Sequence, residues 1–314
     1  MVKYLLNFLF IFLISQSQAQ TIEKFYDYKW NECEPGAARF LAVISKTDSG
    51  FSRSDFFIHE KTLQMSGKYK DIDCKIQNGY FHYFHSNGIV ASVGQYINNK
   101  KEGLWLAYHN NGMMSDSANY TNGKPIGINL SWHSNGYNQD SIVTNADGSY
   151  VQVSWFDNGV PSSAGIYNNE DKRIGKWFFF HKNGKKSSEE IYTAGKIDEE
   201  KFFDENGDLT DKKYVDKEPT FPGGNKAWQE YVFKKSYFPE QYKIVNADKA
   251  VVVVTFSIDE EGTVCEVFVS TPFFPQFDKI AEQAIKESPK WSPAVNHNRK
   301  VKFTLRQPVT FSQE

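Results

Sequence analysis

The sequence predicts a mainly β chain, with an elongated sheet of stacked β-hairpins followed by a small α+β domain. Three observations carry this reading. Asn-Gly recurs at Asn87, Asn111, Asn135, Asn158, Asn183 and Asn206, with spacings of 24, 24, 23, 25 and 23 residues. An aromatic stands three residues before each Asn: Phe84, Tyr108, Trp132, Trp155, Phe180 and Phe203. After Gly207 the repeat stops, and strand-like and helix-like apolar periods take over.

The first residues read as a targeting segment. Lys3 is basic, Tyr4 to Ile14 is apolar, and Ser17-Gln18-Ala19 offers a small-x-small cleavage point. The apolar run would cover only about half of a hydrocarbon core, so residues 1–19 are expected to be a signal peptide, with a membrane anchor as the alternative. A lead-in is expected over 20–78, closing with a degenerate first repeat in which Leu63, Met65, Gly67 and Tyr69 alternate. Cys33 and Cys74 both lie there and are candidates to pair in an oxidising compartment, leaving Cys265 as a thiol. Three unpaired cysteines is the other reading.

The repeat proper is expected over 79–213. Asn-Gly tolerates positive φ at both residues and reads as a type I′ hairpin turn. A short aromatic strand precedes it (Trp105 to Tyr108), a second strand follows (Ile89 to Tyr96), and a polar turn (Asn98 to Lys101) returns the chain. One such hairpin cannot bury its aromatics alone. Stacking is expected to bury the aromatic three residues before each Asn against its copies. Two residues before the Asn stand His85, His109, His133 and His181. Their equivalents lie two strand spacings apart, about 10 Å, whereas metal ligands sit about 2 Å from the ion. They therefore read as solvent-facing residues of the turn edge, and no metal site is expected.

The last part has different periods. A charged connector over 208–218 leads into a domain expected over 214–314. Asn225 to Ser236 places Trp228, Tyr231 and Val232 on one helical face. Ala250 to Ile258 and Thr263 to Ser270 read as strands around an Asp259–Gly262 turn. Phe277, Ile280, Ala281, Ala284 and Ile285 form a helical stripe that ends before Pro289. The last strand is expected over Lys300 to Arg306, with Pro308 beyond it, giving the order α-β-β-α-β.

Two resemblances follow from these residues. The hairpin units resemble bacterial MORN-like repeats of the YwqK-type antitoxin proteins. Phe221-Pro222-Gly223-Gly224, Phe238-Pro239, Val252-x-Val254-x-Phe256-x-Ile258-Asp259-x-x-Gly262, Pro289-Lys290-Trp291-Ser292-Pro293-Ala294 and Pro308-Val309-x-Phe311 resemble the TonB carboxy-terminal domain of Bacteroidetes-type proteins. That resemblance implies a periplasmic module that takes a peptide of an outer-membrane transporter, or another envelope protein, by strand addition. The implied edge is Lys300, Val301, Lys302, Phe303, Thr304, Leu305 and Arg306. The same alternating charges also suit an edge defended against aggregation. The chain departs from the family's energy-coupling members, since residues 1–20 contain no histidine and no Pro-rich spacer follows.

These readings set the expected function. A net charge of −2 gives no basic field for nucleic acid. No nucleophile setting, phosphate loop or HExxH occurs, and no carboxylate pair recurs for glycoside hydrolysis, so neither an enzyme nor a cofactor is expected. The leading expectation is a periplasmic TonB-like binding adaptor with the array as a stiff arm. The alternatives are a membrane-anchored energy transducer and a glycan- or lipid-binding repeat protein. In the last, the repeat aromatics are the working surface, so Trp105 and Trp177 should be accessible if they bind and buried if they only stack.

Overall fold

The computed structural model describes residues 21–212, 215–244 and 249–313, so the expected signal segment lies outside the described residues. The first part is one antiparallel sheet whose strands pair in chain order. It begins with β1 (Thr21–Tyr26), β2 (Phe40–Thr47), β3 (Gly50–Phe57), β4 (Thr62–Tyr69), β5 (Gln77–Phe84), β6 (Val90–Ile97), β7 (Lys100–Tyr108) and β8 (Met114–Thr121). It continues with β9 (Lys124–Trp132), β10 (Asn138–Thr144), β11 (Tyr150–Trp155), β12 (Pro161–Tyr167), β13 (Arg173–Phe180), β14 (Lys186–Thr193), β15 (Lys196–Phe203) and β16 (Leu209–Thr210). The stretch read as a lead-in supplies the first strands of this same sheet.

The Asn-Gly turns differ from the expected type I′. At the six sites only the glycine takes positive φ, between 80° and 89°. In the first turn the Gly88 N–H donates to His85 O at 2.9 Å and the His85 N–H to Ile89 O at 2.8 Å. This is a type I turn closed by a left-handed glycine, and the strand register shifts beside it. Type I′ geometry belongs to the opposite edge of the sheet, where Asn98 and Asn99 have φ of 49° and 67°, and Asn122 and Gly123 have 53° and 82°.

The repeated polar residues join one hairpin to the next. Asn87 Oδ1 accepts from its own turn at Ile89 N, while its Nδ2 donates across to Asn110 O at 2.8 Å. Asn111, Asn135, Asn158 and Asn183 repeat both bonds. The expectation of solvent-facing histidines is not met: His85, His109 and His133 are half-buried and His181 is buried. Nε2 of His85, His109, His133 and His181 lies 2.8, 2.7, 2.9 and 2.9 Å from the carbonyls of Tyr108, Trp132, Trp155 and Phe203. A carbonyl can only accept, so Nε2 carries the proton. The ladder is a row of struts between units.

The aromatic core is also displaced from its expected position. The rings three residues before each Asn are half-buried at the strand ends. Those six residues before it, Phe81, Trp105 and Trp177, are buried at 0, 5 and 1% exposure. Each lies on a glycine of the preceding strand. A Cβ on Gly67 would stand 2.2 Å from Phe81, and on Gly94 or Gly165 it would stand 2.1 Å from Trp105 or Trp177. Each indole N–H donates to the carbonyl just after that glycine, Gln95 or Ile166, at 3.1 Å. Trp105 and Trp177 are therefore structural and not an exposed binding surface.

The second part contains α1 (Gly224–Lys235), β17 (Lys249–Ile258), β18 (Val264–Thr271), α2 (Pro275–Lys286), β19 (Ala294–Asn296), β20 (Arg299–Val301) and β21 (Phe303–Ser312). Its main sheet runs β18-β17-β21, and β19 and β20 form a separate hairpin. One core joins Phe221, Trp228, Val252, Val254, Phe256, Ile258, Phe277, Ile285, Trp291, Val309 and Phe311. Gly262 is required by close approach, because a Cβ there would lie 2.0 Å from Trp291 O. The expected last strand is split. Lys300 and Val301 belong to β20, while β21 starts at Phe303 and continues through Pro308 to Ser312. All three cysteines are free thiols.

Candidate partner-binding edge

The carboxy-terminal domain lies along the Asn-Gly edge of the array. The contacts use the residue between His and Asn of the repeat, which varies from unit to unit. Ser86 Oγ donates to Val269 O at 2.6 Å, and Ser134 Oγ donates to Glu266 Oε1 at 2.6 Å. Lys182 bridges Asp157 at 2.8 Å and Glu260 at 3.1 Å. At one end, Arg39 donates to Val251 O at 3.3 Å and stands 4.1 Å above the Phe273 ring. Burial lowers the Arg39 guanidinium pKa to about 10.

At the other end, the β19–β20 hairpin inserts its turn into the array. His297, Asn298 and Arg299 are all buried, and His297 stacks on Phe179 with centroids 3.6 Å apart. Arg173 Nη1 lies 2.9 Å from His297 Nε2, and a guanidinium can only donate. Nε2 therefore accepts, and Nδ1 carries the proton that goes to Glu190 Oε1 at 2.8 Å. Glu190 also accepts from Ser188 and from the Tyr192 hydroxyl. Burial alone would raise its carboxyl, but the bonds from His297, Tyr192 and Ser188 outweigh this and hold it down at about 2. Arg299 Nη1 donates to the carbonyls of Phe180, at 2.6 Å, and Ser162. Loss of one partner from such a buried set typically costs about 3–5 kcal/mol.

This docking leaves one edge of the β18-β17-β21 sheet open. β18 faces the array, whereas β21 pairs with β17 on one side and with no strand on the other among the described residues. The geometry shows which of its groups point outward. The carbonyls of Val251 and Val253 on β17 turn toward β18, where Arg39 and Ser270 Oγ bond them. Their partners across the ladder, Thr310 and Pro308, therefore turn their backbone groups away from β17. By alternation Thr304, Arg306 and Ser312 do the same. Pro308 has no N–H to offer there, which explains how proline fits inside the strand.

The seven residues expected to form the edge divide among three settings. Lys300 and Val301 are in the β20 hairpin. Lys302 follows it with Nζ 2.7 Å from Glu266. Phe303, Thr304, Leu305 and Arg306 lie on β21. Thr310 and Ser312 were missed, because Pro308 reads as a strand end in sequence. The docking hairpin was also missed, and its signal is a short β-branched pair around His297-Asn298, both at positive φ.

Residues 235–312 match the family model described as the Gram-negative bacterial TonB protein C-terminal, and residues 173–194 match that of a MORN repeat variant. No curated protein matches the chain. TonB carboxy-terminal domains are non-enzymatic, transport-related modules with protein partners. No helix among the described residues is long and apolar enough to cross a membrane. The chain is a MORN-type repeat array fused to a TonB carboxy-terminal domain, and so a TonB-like protein of the envelope.

Proposed function

We propose that the chain is a periplasmic binding adaptor that takes an extended segment of an outer-membrane transporter, or of another envelope protein, along β21. The observation that carries this is the open edge. Thr304, Arg306, Thr310 and Ser312 point donors and acceptors outward while the array occupies the opposite side of the sheet. Main-chain bonds give such addition its affinity, and alternate side chains give it choice. The array acts as a brace that fixes which edge is presented. The proposed boundaries are a signal segment over 1–19, a lead-in over 20–78, repeats over 79–213 and the binding domain over 214–314.

The test is titration of the full chain with synthetic peptides from transporter plug regions. A binding peptide should lose about 10-fold in affinity with Thr310→Pro, which removes one outward donor and adds ring bulk at the edge. Thr310→Ala, which keeps that backbone donor, should not weaken it. Absence of binding by every peptide up to about 1 mM, or binding indifferent to Thr310→Pro, would remove the proposal.

A further inference from the structure

The ring-on-glycine ladder lapses in the middle of the array. Six residues before Asn135 and Asn158 stand Asn129 and Gln152 in place of an aromatic, and the matching glycine positions hold Ala118 and Ile142. A side chain on the preceding strand leaves no seat for a ring, and polar groups occupy the face instead. The result is a groove of about 880 Å³ on the face that carries the buried rings elsewhere.

Its floor is ordered. Asp116 stands opposite Ser131, Ser131 opposite Asp140, and Asp140 opposite Ser154, each pair directly across the ladder. This makes a polar row across four strands, about 14 Å long at three strand spacings. Asp140 is fixed by three donors: Gln152 Nε2 at 2.8 Å and Ser154 Oγ at 2.5 Å on Oδ1, and Ser131 Oγ at 3.2 Å on Oδ2. Beside the row lies Asn129, 9% exposed. Its Oδ1 accepts from the Asn119 N–H at 3.1 Å, which fixes the amide orientation. Its Nδ2 is buried in the groove floor and has no partner among the described residues. A buried donor left unpaired costs about 1–3 kcal/mol, so a group that reaches it is rewarded. Tyr120 and Tyr150 also line the groove.

We propose that this groove binds a short oligosaccharide. Planar carboxylates and amides meet adjacent sugar hydroxyls two at a time, serine hydroxyls can accept or donate, and tyrosine rings cover the C–H faces. The lining carries four carboxylates, Asp116, Asp140, Asp147 and Asp171, against two cations, Lys101 and Lys124, so an anionic ligand would meet a net negative field. A cation would find the Asp140 oxygens already engaged. A peptide strand would find no open edge, because every strand here is paired on both sides. The proposal is independent of the β21 edge.

The experiment is calorimetric titration of the full chain with cello-, malto- and chito-oligosaccharides. At least one series should bind with Kd below about 1 mM. Asn129→Ala and Asp116→Asn should each weaken it by about 10-fold. Val143→Ser, on the opposite face of β10, should leave it unchanged. Asp116 is exposed and has no role in the core, so D116N reports on the groove even if N129A unfolds the hairpin. Absence of heat with every series at about 1 mM would overturn the proposal, as would binding that survives D116N. Binding of spermidine with no oligosaccharide bound would also overturn it and make the groove a cation site.

Discussion

Adding a single methyl group at Gly94 tests the central packing rule of the array. Gly94 has no left-handed φ, so alanine suits its backbone and any penalty must come from the space above it. The new Cβ would stand 2.1, 2.2 and 2.5 Å from three atoms of the Trp105 ring system. Carbon contacts settle at about 3.5–4.0 Å, so the ring must retreat by about 1.5 Å. It is held by its N–H bond to Gln95 O at 3.1 Å, by the Tyr96 ring at 4.8 Å and by Lys101 Nζ at 4.5 Å. Overpacking of about 1–3 kcal/mol and loss of one hydrogen bond of about 1 kcal/mol give a cost of about 2–4 kcal/mol. Trp105→Ala alone should cost about 3–5 kcal/mol, and in that background Gly94→Ala should cost under about 1 kcal/mol. A long sheet joined to a second domain need not unfold in one step, so the readout is amide hydrogen exchange of β6 and β7. An equal cost of Gly94→Ala in both backgrounds would refute the rule.

Three further outcomes are expected. Asn111→Asp keeps the acceptor for the Met113 N–H but loses the donor to Ser134 O, so exchange at the neighbouring turns should rise by the equivalent of about 1–2 kcal/mol. Glu190 has a folded pKa of about 2 against an ordinary 4.5, so its contribution is complete above pH 4.5 and is lost as pH falls from there through about 2. Proteolysis between the two parts should accelerate across that window, whereas Glu190→Gln should already be cleaved faster at neutral pH. Asp278 behaves oppositely: burial raises its carboxyl to about 7 from 3.8, so it opposes folding increasingly as pH rises from 3.8 through about 7. Asp278→Asn keeps an oxygen for the Phe273 N–H, and melting curves should show its gain over the wild type growing over that range and levelling above it.

The legible parts were those governed by local period. The stripe from Phe277 to Ile285 is buried as its spacing implies, and the residues that carried the TonB resemblance, among them Phe221, Phe256, Trp291 and Phe311, form the actual core. The repeat was legible as a period, but its internal roles were not. His109 and Asn111 read as turn residues because their partners, Trp132 O and Ser134 O, lie a whole unit away. The seat under Trp105 was hidden for a similar reason: Gly94 reads as a weak strand residue until register places it beneath the ring. The domain contacts were least visible, since the residues that make them, Ser86, Ser134, Asp157 and Lys182, are those that vary between units.

The same variability explains how a repetitive edge can position a single domain. If every turn were identical, the carboxy-terminal domain could slide by one unit and meet the same groups again, about 10 Å further on. Slippage is opposed because Ser86 bonds the carbonyl of Val269, Lys182 joins Asp157 to Glu260, and the β19–β20 turn inserts beside Glu190. With the register fixed, the presented edge is β21, and that edge is itself interrupted. Pro308 lacks an N–H, and its carbonyl is taken by Gln307 Nε2 at 2.7 Å, while Gln307 Oε1 is held by Trp228 Nε1 at 2.7 Å. The outward row is thereby divided into Thr304–Arg306 and Thr310–Ser312. A partner strand can bond on either side of the gap but cannot form a continuous ladder along it. If β21 takes a partner strand as proposed, an edge of this kind would select a short segment whose own unpaired position falls at Pro308, and the same interruption resists the open-ended pairing that leads to aggregation.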